Sequence, residues 1–109
     1  MAAVQRRPTG RIVSVVDKGE VLNLGSVNKL HGQEVSWHVE SRDRLRLQFE
    51  DGHTDRPTTK LRYDENAGSF SITIPAALAY GLHAVGGELE WKAKRGILYC
   101  SIASRGDAG

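Results

Sequence analysis

Leu30-His31, Glu34-Val35-Ser36-Trp37 and Leu45-Arg46-Leu47-Gln48-Phe49 are answered later in the chain by Leu82-His83, Glu88-Leu89-Glu90-Trp91 and Leu98-Tyr99-Cys100-Ser101-Ile102. The matched residues keep a nearly constant offset: His31 to His83 is 52 positions, Leu45 to Leu98 is 53 and Trp37 to Trp91 is 54. A duplicated unit with small insertions at its turns would drift in this way. Each copy within the 109 residues is about 45 residues long, too short to bury a core alone. The two copies are therefore expected to pack on each other with pseudo-twofold symmetry.

The local pattern is mainly β, with one or two short helices. Val35, Trp37 and Val39 alternate with Glu34, Ser36, His38 and Glu40, and after the turn Ser41-Arg42-Asp43 the row Leu45, Leu47, Phe49 alternates with Arg44, Arg46 and Gln48. Each alternation sends one face to a core, and the pair reads as a hairpin. The β-branched run Ile12 to Val16 is a strand, and Lys18-Gly19 reads as its turn into a second short strand, Glu20 to Leu24. Gly25 to Leu30 is compatible with a helical turn or a loop. Glu50 to Thr59, with Asp51-Gly52 and Pro57 and no large apolar residue, reads as the linker between copies. The second copy opens on Lys60-Leu61-Arg62-Tyr63 and returns through Phe70, Ile72 and Ile74. Pro75 then starts a short helix, Ala76 to Tyr80, because proline suits a first helical position and the Ala/Leu run has high propensity. A last hairpin turns at Lys94-Arg95-Gly96. The chain is thus one domain of two tandem repeats, 10–49 and 59–102, with flexible tails at 1–9 and 103–109.

Composition narrows the function classes. With 39% hydrophobic and 26% charged residues the chain is an ordinary globular domain, and its apolar runs are too short to span a bilayer. No signal-peptide hydrophobic region opens it, so the expected location is cytoplasmic. Cys100 is the single cysteine and sits in an alternating apolar pattern, as a buried small hydrophobe would. No Gly-x-Ser-x-Gly elbow, Cys-x-x-Cys pair, Walker loop or His-Glu-x-x-His helix is present, so no enzyme, metal or cofactor is expected. The formal charge of +2 does not itself mark a nucleic-acid binder, and distribution has to carry that argument.

Strand, turn, strand ending in Ile72-Thr73-Ile74-Pro75, Ala/Leu helix, Leu82, Gly87-Glu88 and Leu89-Glu90-Trp91 resembles the AbrB/MazE/SpoVT family of swapped-hairpin proteins, over about 40 residues. Gly10 to Phe49 resembles a degenerate copy, in which Val16-Asp17-Lys18-Gly19 stands at the first-hairpin turn and Asn23-Leu24 replaces Ile-Pro. The resemblance implies a swapped-hairpin β-barrel whose two halves, normally two chains, come here from one, as a monomeric pseudo-dimer or a homodimer. It also implies binding of double-stranded DNA by a transcriptional regulator or antitoxin. Family contacts on the first strand and at the first turn map onto Lys60, Arg62 and Lys18. Glu20 and Ser69 stand where a basic residue often follows the turn, and the Ala76 to Leu82 helix carries no positive charge.

The residues themselves add further candidates. Arg42, Arg44 and Arg46 at a strand end have the roughly 7 Å spacing that follows a phosphate backbone, and Arg11 follows the basic pair Arg6-Arg7 in an arm suited to a groove. Each cluster is also compatible with a solvated face. His31 and His83 recur at matching points where a residue with positive φ fits a turn, and Trp37 and Trp91 read as paired core aromatics. The alternative function, motivated by the missing basic positions, is a protein-interaction module on the same fold, an antitoxin or inhibitor with a toxin-like partner.

Overall fold

The computed structural model describes residues 2–49 and 57–106; the linker positions 50–56, and the ends at 1 and 107–109, lie outside the described residues. In chain order the elements are β1 (Ala2–Arg6), β2 (Ile12–Val16), α1 (Lys18–Val21), α2 (Val27–Leu30), β3 (Glu34–Ser41), β4 (Arg44–Phe49), β5 (Thr58–Asp64), β6 (Ser69–Ile74), α3 (Ala76–Gly81), β7 (Glu88–Lys94) and β8 (Ile97–Ser104). The strands close into one antiparallel barrel in the order β1-β2-β6-β5-β3-β4-β8-β7. Exchanging β1 to β4 with β5 to β8 reproduces the same set of neighbours, so the duplication read in the sequence is a pseudo-twofold axis in the fold.

The register of the ladders fixes where that axis runs. Between β2 and β6, Ile12 pairs Ile74, Ser14 pairs Ile72 and Val16 pairs Phe70. Between β4 and β8, Leu45 pairs Cys100, Arg46 pairs Tyr99 and Leu47 pairs Leu98. The axis enters through the Ser14/Ile72 pair and leaves through the Arg46/Tyr99 pair, on opposite sides of the ring. Each hairpin is flanked only by hairpins of the other repeat: β1–β2 lies between β6 and β7, and β3–β4 between β5 and β8. This interleaving gives both repeats one core, built from Val4, Ile12, Val16, Val35, Trp37, Leu47, Leu61, Phe70, Ile72, Leu89, Trp91 and Leu98. Pooling these apolar rows removes the size limit on either copy.

Several expectations change. Ala2–Arg6 form strand β1, paired with β2 and β7, instead of a flexible arm, so the first repeat begins at Ala2 and not Gly10. Glu20 to Leu24 is not a strand, because β1 and β6 already occupy both edges of β2. The chain turns into α1 instead: the Asp17 carboxylate accepts from Gly19 N–H at 2.9 Å, and Val21 N–H donates to Asp17 C=O at 3.0 Å. Lys18 therefore opens a helical turn and does not lie in a hairpin. Val16-Asp17, not Asn23-Leu24, is the counterpart of Ile74-Pro75. Gly25 to Leu30 takes the helical alternative in α2, capped by the Ser26 hydroxyl, which accepts from Lys29 N–H at 3.3 Å.

The second repeat follows its expectation closely, with α3 starting directly after Pro75. His83 does adopt positive φ, at 55°, but in the first repeat that role falls to Gly32 at 83° and His31 stays at −61°. Val39, expected inward, is 52% exposed beside a bulge in the β3–β4 ladder. Residues 103–106 are not a loose tail. Strand β8 runs to Ser104, and Gly106 N–H donates to His83 C=O at 2.9 Å. No helix among the described residues is long and apolar enough to cross a membrane.

Candidate nucleic-acid interface

The outer face of β1-β2-β6-β5 is built by alternation. Because Ile12, Val16, Phe70, Ile72, Ile74 and Leu61 point into the barrel, the intervening residues point outward. Ladder pairing arranges them in two rows across the strands. Gln5, Val13 and Thr73 lie in one row, which Lys60 extends onto β5; Val15, Ser71 and Arg62 lie in the other, which Ala3 extends onto β1. Arg11, two residues before Val13 on the same face, lies one row further along, opposite Arg7.

Arg11, Lys60 and Arg62 meet around a shallow depression of about 240 Å³ that Thr59 and Thr73 also line. All three cations are exposed, and among the described residues none has a carboxylate within 4.0 Å. Glu34, opposite Lys60 in the β3–β5 ladder, is the acidic residue that register brings nearest. Lys60 and Arg62 are spaced by two residues on one strand, about 7 Å. Exposed cations beside the outward Thr73 hydroxyl can hold phosphate oxygens by charge and by hydrogen bonding.

The remaining sequence candidates lie elsewhere. Arg42, Arg44 and Arg46 fall on the β4–β8 side of the ring, opposite the β2–β6 side. Their charge is partly answered there. Arg44 sits 4.0 Å from Glu40 and stacks over Tyr99 at 4.4 Å, while Arg46 lies 3.8 Å from Glu40 and 3.3 Å from His38 Nδ1. Arg46 Nε is buried without a hydrogen-bond partner among the described residues. Arg42 caps the turn tip, where its carbonyl accepts from Arg105 at 2.8 Å. Lys18 is tied to the Tyr63 hydroxyl at 3.1 Å, over the ring of that tyrosine. Three of the seven candidates thus converge and four do not.

The aromatic and histidine candidates resolve into structure. Trp37 and Trp91 are both buried but do not contact each other; the one aromatic ring contact among the described residues joins Tyr63 and Phe70. Trp37 Nε1 donates to Thr59 Oγ1 at 2.8 Å and Trp91 Nε1 to the Val15 carbonyl at 3.1 Å. His31 Nδ1 accepts from Tyr63 N–H at 2.8 Å, which fixes that ring nitrogen as the unprotonated one. Burial pushes the Cys100 thiol up from 9.0 to about 12, so it stays protonated and unreactive. Among the described residues no group of three or more His, Cys, Asp or Glu is placed to hold a metal.

A second depression escaped the reading of the sequence. A groove of about 770 Å³ runs beside β7, lined by Ala2, Ala3, Val15, Leu89 and Trp91, with Asp17, Glu20, Glu90 and Lys92 around it. The sequence carries no signal for it, because Lys18-Gly19 reads as a hairpin turn and Glu20 to Leu24 as a strand, whereas Glu20 lies in α1. The chain matches no protein-family model, no curated protein and no solved structure.

Proposed function

We propose that the chain is a small, non-enzymatic, cytoplasmic DNA-binding regulator that holds the duplex backbone on the outer face of β1-β2-β6-β5. The observation that carries this reading is the convergence of Arg11, Lys60 and Arg62, all exposed and, among the described residues, without a carboxylate within 4.0 Å. The resemblance of Ile74-Pro75 to Trp91 to AbrB-like proteins supports it independently. Cations on a flat strand face supply phosphate contacts, and their contribution to affinity falls as salt rises. The test is fluorescence anisotropy on a labelled duplex at low salt. Lys60→Ala with Arg62→Ala should weaken binding at least tenfold, and Arg42→Ala with Arg44→Ala should change it less than twofold. Absence of wild-type binding at low salt rejects the reading.

One observation favours the second reading, a protein-interaction module. Trp37 N–H donates to Pro57 C=O at 3.2 Å, where the segment preceding β5 continues along β3. Its counterpart Trp91 has no such backbone partner among the described residues, because the β1–β7 ladder stops at Ala2/Leu89. The groove beside Trp91, with Asp17, Glu20, Glu90 and Lys92 on its lining, has the form that an extended segment of a toxin-like partner would fill. Partner capture that survives charge reversal at Lys60 and Arg62 but is lost in Glu90→Lys would favour this reading over DNA.

A further inference from the structure

The pseudo-twofold axis allows every outward position to be compared with its mate. The pairing of Ser14 with Ile72 at the axis sets the correspondence on β2 and β6, and the ladders to β1 and β5 carry it outward, where Val4 corresponds to Leu61. By this mapping Lys60 corresponds to Ala3, Arg62 to Gln5 and Arg11 to Ser69. Ser71 and Thr73 correspond to Val13 and Val15. None of the mates is basic, and the hydroxyl pair on one side is an aliphatic pair on the other, with Val15 49% exposed. The fold is symmetric about this axis and the chemistry is not.

We propose, on the DNA-binding reading above, that the duplex is gripped on one side of the pseudo-dyad only, so that the bound site is a single asymmetric half-site and not a palindrome. A protein whose two halves both present cations around a dyad matches DNA with twofold symmetry. Here the Arg11, Lys60 and Arg62 cluster offers about three phosphate contacts and its mates Ser69, Ala3 and Gln5 carry no charge, while the other exposed cations of this face, Arg6 and Arg7, stand at its Arg11 end, where their own mates are Tyr63 and Asp64.

Ala3 and Gln5 are exposed, and Ser69 is half-buried with an outward side chain on an edge of the same face, so the missing charges can be installed. The experiment measures the salt dependence of binding to a labelled duplex of about 30 base pairs for the wild-type chain and for Ala3→Lys/Gln5→Arg/Ser69→Arg, with Ala3→Lys/Gln5→Arg as a second variant should the triple lose its fold. The expected slope of log K against log salt is about −3 for the wild type and about −5 for the triple variant, since each phosphate contact contributes about −0.9. A wild-type slope already near −5, or a slope unchanged in both variants, overturns the one-sided grip while leaving DNA binding intact. No wild-type binding at low salt removes the DNA-binding reading and the one-sided grip together.

Discussion

Ser14 and Ile72 face each other at the centre of the β2–β6 ladder and hold the same place in their respective repeats, so the pseudo-twofold axis passes between a small polar residue and a branched apolar one. Both are buried. Ser14 Oγ donates to the Val15 carbonyl at 3.0 Å, and that carbonyl also accepts from Trp91 Nε1 at 3.1 Å. Removing the hydroxyl therefore leaves no orphaned acceptor. Ser14→Ala is expected to change stability by less than about 1 kcal/mol, whereas Ile72→Ala, which opens a cavity at the mate position, should cost about 2–5 kcal/mol. Urea denaturation of the two variants checks the contrast.

Glu20 joins α1 to the barrel. Its Oε2 accepts from Ala93 N–H at 3.1 Å and its Oε1 lies 3.8 Å from Lys92 Nζ. The hydrogen bond satisfies a strand N–H that faces away from β8, while Lys92 is largely exposed and its ion pair is screened. Glu20→Ala should cost roughly 1–3 kcal/mol and speed exchange of the Ala93 amide. Glu20→Gln should keep most of that stability, and Lys92→Ala should cost under about 1 kcal/mol. Equal losses in Glu20→Ala and Glu20→Gln would assign the contribution to charge instead.

The tandem architecture was legible because hydrophobic alternation with period two is a local signal, and Trp37/Trp91 and Leu45/Leu98 carry it in both repeats. The start of the first repeat was not. Ala2-Ala3-Val4-Gln5-Arg6 has a single large apolar residue, and its place as a strand is set by ladders to β2 and β7 that lie distant in sequence. The Lys18-Gly19 segment was ambiguous for a related reason: the same residues suit a hairpin turn and a helical turn, and the closing of β2 by β1 and β6 decides between them. Lys60 and Arg62 were legible as a pair, but the approach of Arg11 to them depends on β2 lying beside β6, a contact between the repeats. Arg44 and Arg46 were legible as a basic row, but their contacts with Glu40 and Tyr99 depend on the pairing of β4 with β3 and β8.

Cys100 gives a pH prediction. Its thiol is fully buried and pushed up to about 12, above the value of 9.0 that it regains on unfolding. Between these values the unfolded chain has released a proton that the folded chain retains, so the unfolded state binds fewer protons and stability falls as pH rises. The loss is present above about pH 9, at roughly 1 kcal/mol per pH unit, and absent below it. Cys100→Ala should flatten this part of the stability profile. A thiol reagent at neutral pH should label the native chain only after denaturant is added.

Gly87 and Gly106 anchor the end of the chain. A Cβ at Gly87 would overlap the Ser104 carbonyl, and one at Gly106 would overlap the Val85 carbonyl. The segment after β8 is thereby laid against the turn that leads into β7. Gly87→Ala is expected to cost roughly 1–3 kcal/mol through backbone displacement. Gly106→Ala should release mainly Arg105 and Gly106 themselves, which raises exchange at the residue-106 amide with a smaller fall in melting temperature. An unaltered melting temperature for Gly87→Ala would show that the contact is not close-packed.

Interleaving makes a prediction about assembly. Each hairpin borders only hairpins of the other repeat, and the ring is closed, although among the described residues the stretch of β7 beyond Leu89 has no ladder to β1. The full chain should therefore run as a monomer of 12.0 kDa in light scattering. The separate halves should behave differently, because β1–β2 without β6 and β7, and β3–β4 without β5 and β8, expose the whole buried row on every strand. Residues 1–49 and 57–109 produced as two polypeptides are expected to lack native structure alone and to form a one-to-one complex with the circular dichroism of the intact chain when mixed. A stably folded monomer of either half would contradict the interleaved core, and a stable dimer of the full chain would show that the ring is completed between molecules.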